Sequence, residues 1–180
     1  MRARFSLLYG SGDDDPFDDL SPGFDAVFEN PLFAGADTSY WIRQPVGNIG
    51  GGGVTLSGRN GVLNSLRSSK EQGQSNFTNP GIQLIGYGMD FDLLPEWRMS
   101  FNLNHLSFAT TEVLEVSRNQ GGIDSEIGWD VSVASIYRPF MTQNVIFRLS
   151  AAFLIPGKGY EQMYGDETQY SILANLVLAY

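Results

Sequence analysis

The chain has 180 residues, enough to bury one core, with a net charge of -9, no cysteine, 13% aromatic and 17% charged residues, and 21 glycines. That balance excludes a disulfide framework and a thiolate metal site, and it argues against a nucleic-acid partner, because phosphate binding needs a basic field. No apolar run reaches the roughly 18 residues of a membrane-crossing helix, and abundant aromatics and glycines with few charges favour an all-β chain.

Residues 2–10 alternate, with Ala3, Phe5, Leu7 and Tyr9 on one face and Arg2, Arg4, Ser6 and Leu8 on the other, which predicts a first strand. The same stretch begins like a secretory signal, but its apolar run is too short for the hydrophobic region of one. Between residues 10 and 80 the alternation disappears. Eight of the twenty acids fall between Asp13 and Asp37, a span without Lys or Arg, and four glycines follow at 50–53. One long loop, 10–80, is expected, far longer than a compact soluble domain tolerates and normal on the outer side of a membrane barrel.

Five further strands are predicted at 82–94, 97–108, 127–138, 145–155 and 169–180. In the first of these, Ile85, Tyr87, Met89, Phe91 and Leu93 oppose Gly86, Gly88, Asp90 and Asp92. In the second, Trp97, Met99, Phe101 and Leu103 oppose Arg98, Ser100, Asn102 and Asn104, and the phase is expected to slip at His105 so that Leu106 and Phe108 take over the apolar row. The third sets Trp129, Val131, Val133 and Tyr137 against Asp130, Ser132 and Arg138; the fourth sets Phe147, Leu149, Ala151, Phe153 and Ile155 against Arg148 and Ser150. The last carries Tyr170, Ile172, Ala174, Leu176, Leu178 and Tyr180 on one face. Tilted by about 45°, a strand of roughly this length rises through a bilayer's hydrocarbon layer.

Connections alternate in length. Residues 95–96 and 139–143 are short, whereas 10–80, 109–125 and 156–168 are long and polar, as in outer-membrane barrels with short periplasmic turns. The aromatics sort with them: Tyr9, Tyr87, Phe108, Trp129, Phe153 and Tyr170 toward the long loops, and Phe91, Trp97, Tyr137, Phe147 and Tyr180 toward the short turns. A soluble sandwich would have shorter strands and balanced loops. The expected fold is therefore an all-β, antiparallel transmembrane β-barrel. Residues 1–180 form a single segment of it, about six strands of a larger barrel, because closure takes about eight. The alternative is that residues 39–44 and 53–57 add two short strands.

Residues 8–16 (LYGSGDDDP), 23–28 (GFDAVF) and 31–35 (PLFAG), with a final strand ending in an aromatic, resemble the alginate-export-like outer-membrane porins of Gram-negative bacteria. The resemblance is specific over residues 7–35 and covers the C-terminal third of such a barrel. It implies an outer-membrane location, a final strand read by the barrel-assembly machinery, and lipid and a diffusing solute as partners. The expected function is a porin passing small polar or anionic solutes.

Inward positions supply the candidate pore-lining charges Arg2, Arg4, Asp90, Asp92, Arg98, Asp130, Arg138 and Arg148. This mixture departs from the strongly basic lumen that the resemblance implies for polyuronates. Arg43, Arg59, Arg67 and Lys70 in the long loop are candidate selectivity residues if that loop folds over or into the pore. Asp13, Asp14, Asp15, Asp18 and Asp19 form the densest acidic cluster, a candidate calcium loop that Asp25 and Asp37 would complete; the rival reading is a solvated acidic loop with no cofactor. His105 and Ser107, two apart on a strand beside Asn104, resemble the arrangement of outer-membrane phospholipase A, although Phe108 and Ala109 replace the Asn-Gly expected after the serine. The main expectation is no enzymatic activity. A non-conducting barrel serving as adhesin or scaffold is the first alternative, and a phospholipase-like enzyme the second.

Overall fold

The computed structural model describes residues 1–20, 22–23, 34–35, 38–43, 80–140 and 144–178. Six strands, β1 (Arg2–Gly10), β2 (Ile82–Leu94), β3 (Trp97–Ser107), β4 (Glu126–Tyr137), β5 (Val145–Pro156) and β6 (Gln169–Leu178), form one antiparallel sheet in chain order. Every neighbouring pair is antiparallel and consecutive in sequence, so the sheet is a simple meander. The Pro95–Glu96 turn closes β2 on β3, with Leu94 paired to Trp97. Three short helices complete the described elements: α1 (Tyr40–Arg43), α2 (Glu112–Arg118) and α3 (Lys158–Tyr164).

Strict alternation gives the sheet two unlike faces. One is bare. Phe5, Leu7, Ile85, Tyr87, Phe101, Leu103, Trp129, Phe147, Leu149, Phe153, Ile172 and Leu176 all stand exposed on it. Among the described strand residues its only charged position is Glu126, at the first residue of β4. The opposite face is covered by α1, α3 and the connection containing α2. Here Ile82, Leu84, Leu106, Ile127 and Leu154 from the strands pack with Trp41, Ile42, Phe108, Val113, Leu114, Ile123 and Tyr160 in one apolar cluster. For a water-soluble sheet this is inverted: the large aromatic and aliphatic side chains are outside, and several buried strand residues are polar.

Several expectations need correction. The phase does not slip at His105. Leu106 stays on the covered face with Asn104, and it is the character of that face, not the register, that changes from polar to apolar. The extra residue belongs to β4: Leu106 pairs with Gly128 and Ser107 with Glu126, so Ile127 bulges and two consecutive residues, Ile127 and Gly128, are buried. Gly128 has φ 129, and a Cβ there would lie 2.1 Å from the Ile155 carbonyl oxygen. Phe108 is 2% exposed in the core, past the end of β3, and belongs to no aromatic belt. The connections at 109–125 and 156–168 hold helices whose Val113, Leu114, Tyr160 and Met163 are buried. Tyr40–Arg43 is one helical turn where the eight-strand alternative needs a strand, and residues 53–57 lie outside the described residues.

Candidate functional site

The covered face divides along the strands. Toward the short turns it carries charge and hydroxyls; toward the long connections it is apolar. At the charged end, Asp90 Oδ2 accepts from Arg2 Nη2 at 2.7 Å and from Arg4 Nη1 at 3.0 Å, while its Oδ1 accepts from the Ser100 hydroxyl at 2.7 Å. Arg4 reaches further across the sheet, donating to Ser100 Oγ at 3.2 Å and Asn102 Oδ1 at 2.9 Å. Gly88 makes this reach feasible, because a Cβ there would sit 2.9 Å from Arg4 Nη2. One carboxylate thus holds two guanidiniums. Nearby Arg98 Nε donates to Asp92 Oδ1 at 2.6 Å. Arg148 shares the next row, since Arg98 pairs with Ile136 and Ile136 with Arg148; Arg138 follows β4 and donates its backbone N–H to the Glu96 carbonyl.

Of the predicted inward charges, the structure gathers Arg2, Arg4 and Asp90 into one network and pairs Asp92 with Arg98. Asp130 lies on the same face but is fully buried, with its Oδ2 accepting the Trp41 N–H at 3.0 Å.

That bond belongs to a second network, which seats part of the long 10–80 connection on the sheet. Asn104 Nδ2 donates to the Ala34 carbonyl at 3.0 Å and to Ser39 Oγ at 3.3 Å; Asn102 Nδ2 donates to Thr38 Oγ1 at 3.3 Å and Ser132 Oγ at 3.2 Å. The segment also binds itself, with the Ser39 hydroxyl and Trp41 Nε1 both donating to the Ala34 carbonyl. Gly86 leaves the room, as a Cβ there would lie 2.4 Å from Asn104 Oδ1. Trp41 is 0% exposed, so this seat is as dry as a protein core. Burial, with Tyr160 and Asp130 nearby, pushes the Tyr40 phenol up to about 12.

Sequence reasoning did not single out Asn102, Ser39 or Trp41, and it noted Asn104 only as a neighbour of His105 and Ser107, not as an anchor for the long connection. The available signal was the pair of amides on alternate residues of β3: buried amide N–H groups need acceptors, which points to an element lying over them, although Asn104 Oδ1 itself has no hydrogen-bond partner among the described residues.

The acidic stretch is organised locally. Asp13 Oδ1 accepts the Asp15 N–H, Asp15 Oδ1 that of Phe17, and Asp18 Oδ1 that of Leu20, three successive side-chain-to-backbone turns. Asp13 is buried, whereas Asp14, Asp15, Asp18 and Asp19 are exposed, and among the described residues no three acids or histidines gather into a metal donor set. Asp25, Asp37, Arg59, Arg67 and Lys70 lie outside the described residues, and of Arg43 only the backbone, at the end of α1, is described. His105 and Ser107 do share the bare face, but Asn104 points to the covered one, where its amide is engaged by Ala34 and Ser39. His105 Nε2 instead lies 3.5 Å from Glu126 Oε1, and its ring centre is 4.8 Å from that of Trp129 with the planes tilted by 59°.

Comparison with protein-family models, curated proteins and solved structures finds no match.

Proposed function

We propose that this sheet is the wall of an outer-membrane β-barrel porin of a Gram-negative bacterium, passing small polar or anionic solutes, with the bare face toward lipid and the covered face toward the lumen. One observation carries the reading: twelve or more large apolar side chains stand exposed on one side of a sheet whose other side buries carboxylates, amides and hydroxyls. Water makes that arrangement costly, at about 25 cal/mol for each Å² of apolar surface left wet, and lipid removes the cost. The strands are also long enough to cross, with 13 residues in β2 and 12 in β4 and β5.

In this reading the charged half of the covered face is the solute's path. Its ladder of paired opposite charges orients a permeant without holding it tightly. The segment around residues 38–43 narrows the lumen from the inside, and the mixed, paired charges along the path suit small polar or anionic solutes rather than the polyuronates that the resemblance implies. Purified protein in planar bilayers is expected to give discrete ohmic steps, and Arg4→Ala to shift the ratio of anion to cation permeability toward cations. Absence of conductance over many insertions sinks the porin reading.

A second reading, a non-conducting barrel used as adhesin or scaffold, is favoured by a different observation. The long-connection half of the covered face is sealed by Trp41, Phe108, Leu114 and Leu154, each at most 2% exposed. It predicts a membrane-inserted protein that conducts no ions, with or without residues 34–43.

A further inference from the structure

The net charge of -9 is not spread along the strands. At the long-connection end, residues 13–19, 112–124 and 161–167 hold eleven acids, and the described parts of those connections carry two bases, Arg118 and Lys158. At the short-turn end the sign reverses: Arg2, Arg4, Arg98, Arg138 and Arg148 stand against Asp90, Asp92 and Glu96. The stretch 25–71 holds four acids and four bases and leaves the balance unchanged. One end of the strands is therefore strongly negative and the other is positive.

Local pairing does not cancel this asymmetry. At the negative end, Glu161, Asp166 and Glu167 are exposed and make no side-chain hydrogen bond or ion pair among the described residues. Arg118 is turned away from the acids: it donates to the Met163 carbonyl and lies 4.7 Å above the Tyr164 ring. At the positive end, Arg138 has no acid partner among the described residues, and its buried Nε has no acceptor. Fixed charge at a mouth gathers counter-ions and repels ions of its own sign over a Debye length, about 10 Å at 0.1 M salt and about 3 Å at 1 M. Two mouths of opposite sign in series act on both kinds of ion. An anion is repelled at the long-connection mouth, and a cation at the short-turn mouth. A solute of zero net charge meets neither barrier, and the dipole of a zwitterion turns with the field.

We propose that the lumen admits small polar solutes of zero net charge, zwitterions included, ahead of anions or cations of the same size. The inference rests on the porin reading above and narrows its solute class. Neither group of charges holds the solute, since selection is by exclusion at the two mouths. Between them, Asp90 with its two guanidiniums and Asp92 with Arg98 offer a passing solute donors and acceptors side by side.

The test compares two solutes of nearly equal size entering vesicles that contain the whole chain: serine, a zwitterion, and glycerate, in which a hydroxyl replaces the ammonium and leaves a net anion. At 0.1 M salt serine is expected to enter about tenfold faster, and at 1 M, where the fields are screened, the two rates converge. Single channels from the same preparation are expected to pass unequal currents at opposite voltages in 0.1 M salt and to be ohmic in 1 M. The combined change Glu161→Gln, Asp166→Asn and Glu167→Gln should speed glycerate entry at 0.1 M, and Arg138→Gln should weaken the rectification. Equal entry of serine and glycerate at 0.1 M through conducting channels overturns the inference and leaves the porin reading standing. So does a preference that persists at 1 M, or one that neither variant moves. Channels that never conduct overturn both.

Discussion

Asn104 offers the sharpest test of how residues 38–43 are held on the sheet. Its side chain is fully buried, and Nδ2 makes two hydrogen bonds, to the Ala34 carbonyl at 3.0 Å and to Ser39 Oγ at 3.3 Å. Neutral hydrogen bonds contribute about 1 kcal/mol each net, so Asn104→Ala weakens the seat by about 2 kcal/mol, a roughly 30-fold rise in its open population. The Ala34 carbonyl keeps its donors from Ser39 and Trp41, so nothing beyond those two bonds is orphaned on the segment side. Asn104→Asp is worse. It sets a carboxylate against a carbonyl oxygen in a dry site, at a cost of roughly 3–5 kcal/mol for an uncompensated buried charge. Amide hydrogen exchange reads this directly, because protection of residues 38–43 reports the local opening equilibrium. Exchange there is expected to accelerate about 30-fold for Asn104→Ala and further for Asn104→Asp, while the β4–β5 amides keep their protection. Unchanged exchange of the segment in both variants would refute the seat.

Three further outcomes follow from the same geometry. Leu103→Arg, near the middle of β3 on the bare face, should destabilise the protein in lipid by about 2–4 kcal/mol and Ser107→Arg, at the strand's last residue, by about 0–1; urea unfolding from vesicles measures both, and equal costs would contradict the proposed depth. Gly128→Ala forces a Cβ to 2.1 Å from the Ile155 carbonyl at φ 129, so the β4 bulge must shift; a loss of about 1–3 kcal/mol is expected in the same assay. Burial pushes the Tyr164 phenol, like that of Tyr40, up to about 12, against the pull of Arg118. Both phenols are raised above their unfolded value near 10, so their contribution is fully present below pH 10 and is lost as pH rises through about 12. Absorbance of phenolate against pH should show late titration coincident with loss of structure, and titration of every tyrosine near pH 10 in the folded protein would contradict it.

The sheet was legible because a period of two with one greasy face is a local signal, repeated in each strand. Residues 2–10 and 82–94 agree with the strands to the residue, and the last strand starts at Gln169 as predicted. What lay over the sheet was not legible, for a physical reason. The bonds that seat α1 join residues 64 to 89 positions apart, and no pattern within β3 or β4 names the partner of Asn104 or Asp130. The helices α2 and α3, seven residues each, are too short for a helical period to emerge from connections that read as polar. Leu106 misled the phase because the covered face itself turns apolar there, and an apolar residue on an unexpected side reads as a slip. Which charges oppose the apolar row follows from position alone, but their pairing needed the register: Arg2 and Arg4 share Asp90 only because β1 lies antiparallel to β2 with Arg2 opposite Asp90.

The central claim is that the bare face meets lipid. A chain without cysteine permits single-cysteine spin labels at successive positions of β6, from Tyr170 to Leu176, in the vesicle-embedded protein, with collision rates measured against oxygen and against a water-soluble nickel complex. The account predicts strict alternation, with oxygen dominating at Tyr170, Ile172, Ala174 and Leu176 and the nickel complex gaining at Ser171, Leu173 and Asn175. Nickel access at the even positions, or no alternation at all, would contradict it.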